Sequence, residues 1–172
     1  MAQVPDFLAR VTLLQDLDGE GISTLAPLLI PKRFNSGNVV FREAEASDAL
    51  YIVEQGSVVV SKHVRDDVDI VLTRFHAGDF FGEMGLFDAA PRSATAHVEI
   101  DSRLWQLKRD VFHDIFTRHP EIAAKICYRL VTVFIERLRT TNEQAREAIR
   151  WGLEATGYST AGGQGFFGRK ST

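Results

Sequence analysis

The spacing of hydrophobic positions changes twice along the chain. From residue 5 to 29, Phe7, Leu8, Val11, Leu14 and Leu17 fall on one helical side, and Leu25, Leu28 and Leu29 follow Gly21, so two short helices are expected. From about residue 30 to 108 the pattern becomes short β-rich runs, NVVF, ALYIV, SVVV, DIVLTRF, ATAHVEI and RLWQL, punctuated by Gly37, Gly56 and Gly78. Evenly spaced short strands with turn signals predict a β jelly-roll barrel. Within ATAHVEI, Ala94, Ala96, Val98 and Ile100 alternate with Thr95, His97 and Glu99, which predicts that the first set faces inward and the second outward.

Helical spacing returns after residue 108. Asp110 is the expected N-cap of the short helix VFHDIFTRH, which must stop near Pro120, and a long helix is expected from there to about residue 150. Glu121 in its first turn suits the helix dipole. Such a helix extends for about 45 Å, more than one small barrel needs for cover. Cys127, Val131, Phe134, Leu138, Thr141 and Ala145 recur at spacings of three and four, as on a helix packed against another helix. That stripe could pack on its own domain, but the excess length favours a homodimer seam. The stretch GYSTAGGQGFFGRKST is glycine- and serine-rich without helical periodicity and reads as a flexible tail, with Phe166 and Phe167 as a candidate docking point. The expected organisation is therefore α+β. One domain covers residues 1–150, with helices over about 1–29, the jelly roll over 30–108 and C-terminal helices over 109–150, and a tail covers 151–172.

Composition narrows the function classes. With 172 residues, the chain is long enough for one domain with a substantial core. Its 23 acidic residues outnumber 20 basic ones, for a net charge of -3, whereas a DNA-binding surface needs a basic surplus; no direct DNA binding is expected. The one cysteine, Cys127, can form neither an internal disulfide nor a cysteine metal cluster and is expected in the core. The first residues lack the layout of a signal peptide, and no run approaches the ~18 apolar residues of a membrane span, so a soluble cytoplasmic protein is expected.

The chemistry concentrates in one stretch, from Phe80 to Thr95. Gly82 and Gly85 bracket a segment where the backbone can approach a ligand closely, and a helical turn at Gly85-Leu86-Phe87 would aim N–H groups at an anion. Arg92 offers a planar fork of donors suited to phosphate oxygens. Glu83, acceptor-only when ionised, suits a hydroxyl such as a ribose 2′-OH and could also orient Arg92. Ser93 adds a hydroxyl and an N–H beside the same anion, and Pro91 stiffens the approach to Arg92. The residues alone leave a second reading open, an exposed Glu83–Arg92 ion pair worth at most about 1 kcal/mol, with the glycines only making turns.

The Phe81-Gly82-Glu83 start and the Pro91-Arg92-Ser93-Ala94-Thr95 end, at this separation, resemble the phosphate-binding cassette of the cyclic-nucleotide-binding family. That family includes catabolite activator proteins, protein kinase A regulatory subunits and cyclic-nucleotide-gated channels. The resemblance spans about residues 5 to 148 and takes in Gly37, the Leu50–Val53 strand, Gly56-Ser57-Val58 and Gly78-Asp79. It implies that Glu83 binds the ribose 2′-OH and Arg92 the cyclic phosphate, with Gly82, Met84, Gly85 and Ser93 giving backbone or hydroxyl contacts. Ala44 and Ser47 depart from it, standing where relatives often have glycine. Ser93, where eukaryotic relatives selective for cyclic GMP have threonine, favours cyclic AMP over cyclic GMP. Thr140, Thr141 and Asn142 fall where bacterial relatives cap the base, and a solvated helix face is their alternative. The resemblance further implies a regulatory module whose ligand shifts the long helix and so alters a dimer seam or an effector surface. No enzyme activity, metal or cofactor is expected. Residues 151–172 are too short for a helix-turn-helix domain, so a stand-alone sensor or a fragment of a larger chain is expected. One alternative is a cupin-type metal enzyme, although His63, His76, His97, His113 and His119 are scattered and include no His-x-His pair. The other is a degenerate dimerisation module, against which Glu83 and Arg92 both argue.

Overall fold

The computed structural model describes residues 5–65 and 68–156. The chain divides into two compact units, residues 1–130 and 131–172. In the first, Pro5 leads into a tight 3-10 turn over Asp6–Arg10, and a second turn covers Thr12–Leu14. Helix α1, Gly19–Leu25, is capped by Asp18, whose Oδ1 accepts from the Gly21 N–H at 2.8 Å. That hydrogen bond, helped by Lys125, holds the Asp18 carboxyl below its ordinary value. Leu8, Val11, Leu14, Leu17 and Leu25 are buried, and the Phe7 ring lies 5.8 Å from that of Trp105. The apolar periodicity thus marks the right residues, although much of the backbone there is 3-10 rather than α.

Six antiparallel strands follow: β1 (Ile30–Phe34), β2 (Val39–Phe41), β3 (Ala49–Arg65), β4 (Val68–His76), β5 (Phe80–Phe81) and β6 (Thr95–Lys108). The sheet runs β1-β6-β3-β4, with β2 also paired to β6 and β5 to β3. This is the expected jelly-roll class, with some of the expected runs joined into longer strands. ALYIV and SVVV are one strand, because Gly56 (φ +94°) lies inside β3 rather than ending it. A Cβ on Gly56 would run into Ser102 and the Asp101 carbonyl, so the glycine lets β3 and β6 cross closely where their register shifts. ATAHVEI and RLWQL are likewise both in β6. The adjacent register shift corrects one inward position. Ala94, Ala96 and Val98 are buried as expected, but Ile100 is 58% exposed. Ser57 pairs with Ile100 and the next residue, Val58, with Val98, so β6 carries an extra residue and its alternation breaks there.

Ala49, Tyr51, Val53, Val58, Phe75, Phe81, Ala96, Val98 and Leu104 form one core cluster. Leu50 and Ile52, pointing the other way by strand alternation, are also fully buried, so both sides of this part of β3 are covered. Helix α2 spans Arg109–Arg118, with Lys108 rather than Asp110 at its N-cap position. Asp110 lies inside the first turn, where its carboxylate accepts from the Val111 N–H, because helical backbone already begins at Arg109. Helix α3 spans Pro120–Ala155, five residues beyond the expected end near 150. Its first turns bury Ile122, Ala123, Ile126 and Leu130, and Arg129 forms a bidentate pair with Asp16 at 2.9 and 3.0 Å. Cys127 is only half-buried, and burial raises its thiol pKa.

In the second unit, Val131 and Leu138 of the expected seam are 56% and 60% exposed, and Thr141 and Ala145 are exposed too. Phe166 and Phe167 lie outside the described residues. Among the described residues, no helix is long and apolar enough to cross a membrane.

Candidate functional site

Strand β5 brings Phe80 and Phe81 into the core, and Gly82 ends it in a left-handed conformation (φ +75°). The chain then makes a 3-10 turn over Glu83–Leu86, starting two residues before the turn read from the sequence. The Gly85 and Phe87 N–H groups are consumed by Gly82 and Met84 carbonyls, so those two do not point at a ligand. Leu86 is buried and anchors the turn, while Met84 is exposed. The Asp88 carboxylate accepts from the Ala90 N–H at 3.0 Å and shapes the return toward Arg92.

Arg92 is fastened at its backbone to the turn between β2 and β3. Its N–H donates to the Glu45 carbonyl at 2.8 Å, and its carbonyl accepts from the Ala44 N–H at 2.9 Å. Ala44 adopts φ +67°, a left-handed conformation that favours glycine. Ser47 is buried, and a Cβ on Gly85 would collide with its hydroxyl. Small residues are therefore needed on both sides of this contact.

Glu83 and Arg92 are only 6% and 5% exposed, so the reading of them as an exposed loop ion pair is wrong. Both are turned inward by the tightness of Gly82 and the pairing of Arg92 with the 44–45 turn. The Arg92 Nη1 donates to the Gly82 carbonyl at 3.1 Å, and a Cβ on Gly82 would come within 2.8 Å of that nitrogen. Nη2 lies 3.9 Å from the exposed Asp48 carboxylate, and the guanidinium carbon sits 4.1 Å over the Phe41 ring. Nε is buried with no hydrogen-bond partner. Burial lowers the Arg92 pKa, partly offset by Tyr51 and Asp48, and burial also raises that of Tyr51. The free Nε and the loosely held Nη2 form the edge of the guanidinium that can grip two oxygens of one anion.

Sequence reasoning missed Arg109. Its Nε donates to the Gly85 carbonyl and its Nη2 to the Asp88 carbonyl, both at 2.6 Å, and Nη2 also reaches the Ser47 carbonyl. With the Arg109 N–H on the Asp48 carbonyl at 2.7 Å, the first residue of α2 clamps the loop over residues 85–88 to the 44–48 turn. No local motif signals this role. Phe41, Asp48 and Tyr51 were missed for the same reason, since each reaches Arg92 only once the chain has folded.

The structure gathers Gly82, Glu83, Gly85 and Arg92 in one tight loop. Met84 and Ser93 are exposed, and the Ser93 carbonyl accepts from Lys62 Nζ at 3.2 Å. Thr140, Thr141 and Asn142 lie on α3 in the second unit, all exposed, and the two threonine hydroxyls bond back to the Glu136 and Arg137 carbonyls of their own helix. Among the described residues, no group of three or more His, Cys, Asp or Glu side chains is placed to hold a metal ion.

A family model described as the cyclic nucleotide-binding domain matches residues 31–119. The chain is 32% identical over 144 residues to a CRP-like cAMP-activated global transcriptional regulator of Mycobacterium tuberculosis, covering 84% of this chain and 62% of that protein. It is similar to the N-terminal domain of a transcriptional regulator from Streptomyces coelicolor, with TM-score 0.68, 27% identity, and coverage of 81% of this chain and 96% of that one. It is also similar to the regulatory domain of Toxoplasma gondii PKA solved with cAMP, with TM-score 0.57, 32% identity, and coverage of 63% and 41%. The chain spans less than two thirds of the length of the curated relatives it matches.

Proposed function

Because this chain belongs to the cyclic nucleotide-binding domain family, we propose that it is a sensor module for cyclic AMP, holding the cyclic phosphate on Arg92 and the ribose 2′-hydroxyl on Glu83. The observation that carries this reading is the buried Arg92 guanidinium with an unpartnered Nε. A buried donor left unpaired costs about 1–3 kcal/mol, and an anion that pairs with it removes that cost while adding a charge-assisted bond. Glu83, equally buried, is an acceptor suited to a hydroxyl donor. Gly82, Met84 and Gly85 bring the backbone to the ligand, and Ser93 adds its hydroxyl at the rim.

Cyclic AMP is preferred to cyclic GMP because serine, not threonine, follows Arg92. Relatives described as cAMP-activated or solved with cAMP support the choice. In this reading Thr140, Thr141 and Asn142 cap the base. The exposed Val131 and Leu138 belong to a homodimer seam, and ligand binding shifts α3 between two packings, to be read by that seam or by an effector protein. A cytoplasmic, non-catalytic role accompanies it.

Calorimetric titration with cyclic AMP and cyclic GMP tests the ligand. Tighter binding of cyclic AMP is expected; no binding of either overturns the reading, and tighter cyclic GMP overturns the preference. Hydrogen-deuterium exchange should change over residues 120–150 when ligand binds, and unchanged protection there would sink the helix shift.

A further inference from the structure

We propose that Phe41 positions Arg92 for its ligand: the ring lies against the guanidinium carbon and leaves the Nε and Nη2 donors without a tight partner, available to the anion. The proposal rests on the reading of Arg92 as the anion-binding residue. A guanidinium has two faces and three donor edges. Here the guanidinium carbon lies 4.1 Å over the Phe41 ring, and Nη1 is held by the Gly82 carbonyl. That carbonyl alone would leave the group free to swing about a single hydrogen bond, and the ring removes this freedom. Rigidity bestowed before binding is entropy not lost during it.

The ring is itself fixed. Phe41 lies 6.0 Å from Tyr51 and 5.9 Å from Phe81; Tyr51 stacks on Phe81 at 5.5 Å, and Phe81 on Phe75 at 5.4 Å. Arg92 therefore rests on the end of an aromatic row built into the core. An aromatic face also solves a charge problem. A buried cation needs stabilisation, but a carboxylate bound tightly to its edge would compete with an anionic ligand. Asp48 stays at 3.9 Å and is largely exposed, whereas the Phe41 quadrupole attracts the cation without occupying an edge donor. An aliphatic residue at position 41 would fill the space without that attraction.

The experiment replaces Phe41 in the full chain with mono-, di- and trifluorinated phenylalanine, which weakens the ring quadrupole stepwise at nearly constant size, and reads cyclic AMP affinity by calorimetry. Phe41→Tyr and Phe41→Leu accompany the series, with thermal unfolding to verify folding. Affinity is expected to fall step by step, reaching roughly threefold to thirtyfold at the trifluorinated ring. Phe41→Tyr should bind nearly as wild type, and Phe41→Leu as weakly as the end of the series. Affinity that stays level with fluorination overturns the role of Phe41 alone, and affinity that rises shows that the stack competes with the ligand and overturns it too. A wild-type chain that binds no cyclic nucleotide overturns the reading of Arg92, and this proposal with it.

Discussion

Replacing Arg92 with alanine should separate ligand affinity from fold stability. The ligand loses the Nε–Nη2 edge, and charge-assisted hydrogen bonds contribute about 1.5–3 kcal/mol each. Part of that gain is offset by desolvating the phosphate, so a net loss of about 2–4 kcal/mol is expected, or about thirtyfold to a thousandfold in Kd. The free protein loses much less. It forfeits the contact with Phe41, about 0.5–2 kcal/mol, and the charge-assisted bond to the Gly82 carbonyl, about 1.5–3 kcal/mol. Against this, it no longer buries a cation with an unpaired Nε, which relieves about 1–3 kcal/mol. The relief offsets most of the loss and leaves about 1–2 kcal/mol, so the unliganded Tm should fall by about 2–8 °C. Thermal unfolding of the free protein together with calorimetric titration of cyclic AMP checks both halves. Undiminished affinity in Arg92→Ala would refute the phosphate role. A Tm drop of more than about 10 °C would show that Arg92 is chiefly a structural residue.

Three further outcomes follow from the same region and its neighbours. Ala44→Gly removes left-handed strain of about 1–2 kcal/mol and adds about 0.5–1 kcal/mol of backbone entropy loss, so Tm should rise by about 1–4 °C; a fall would show that Ala44 is not strained. Gly85→Ala drives a Cβ into the Ser47 hydroxyl and should weaken cyclic AMP binding at least tenfold, with partial recovery in the Ser47→Gly background; equal defects in single and double variants would place the fault elsewhere. The Glu99 carboxylate accepts from the Ser57 hydroxyl at 2.9 Å and Arg74 Nε at 3.2 Å, and the Ser57 bond is the first cause of its pKa lying below 4.5. A carboxylate depressed in the folded state contributes stability above its ordinary value that is lost as pH falls through the folded one. Tm should therefore decline below about pH 4.5 more shallowly in Glu99→Gln than in wild type, and parallel declines would refute the linkage.

Most of the cassette was readable in the chain because its parts are local. Gly82, Glu83, Gly85 and Arg92 lie within eleven consecutive residues, and donor and acceptor chemistry marks the charged pair as candidates without coordinates, although it took the family resemblance to favour them over an exposed ion pair. Strand and helix types were likewise visible in periodicity, which depends on neighbours in sequence. What escaped was whatever depends on where strands pair. Gly56 reads as a stop until β6 is seen crossing it, and Ile100 reads as core until the extra residue of β6 turns it outward. Phe41 and Asp48 reach Arg92 from far upstream, and Arg109 clamps the loop from beyond the next strand; no spacing rule links such residues. Burial of Glu83 and Arg92 is the deepest example. Their chemistry is written in the chain, but the low-dielectric setting that makes an unpaired Nε costly, and so makes an anion welcome, exists only once the sheet has closed over them.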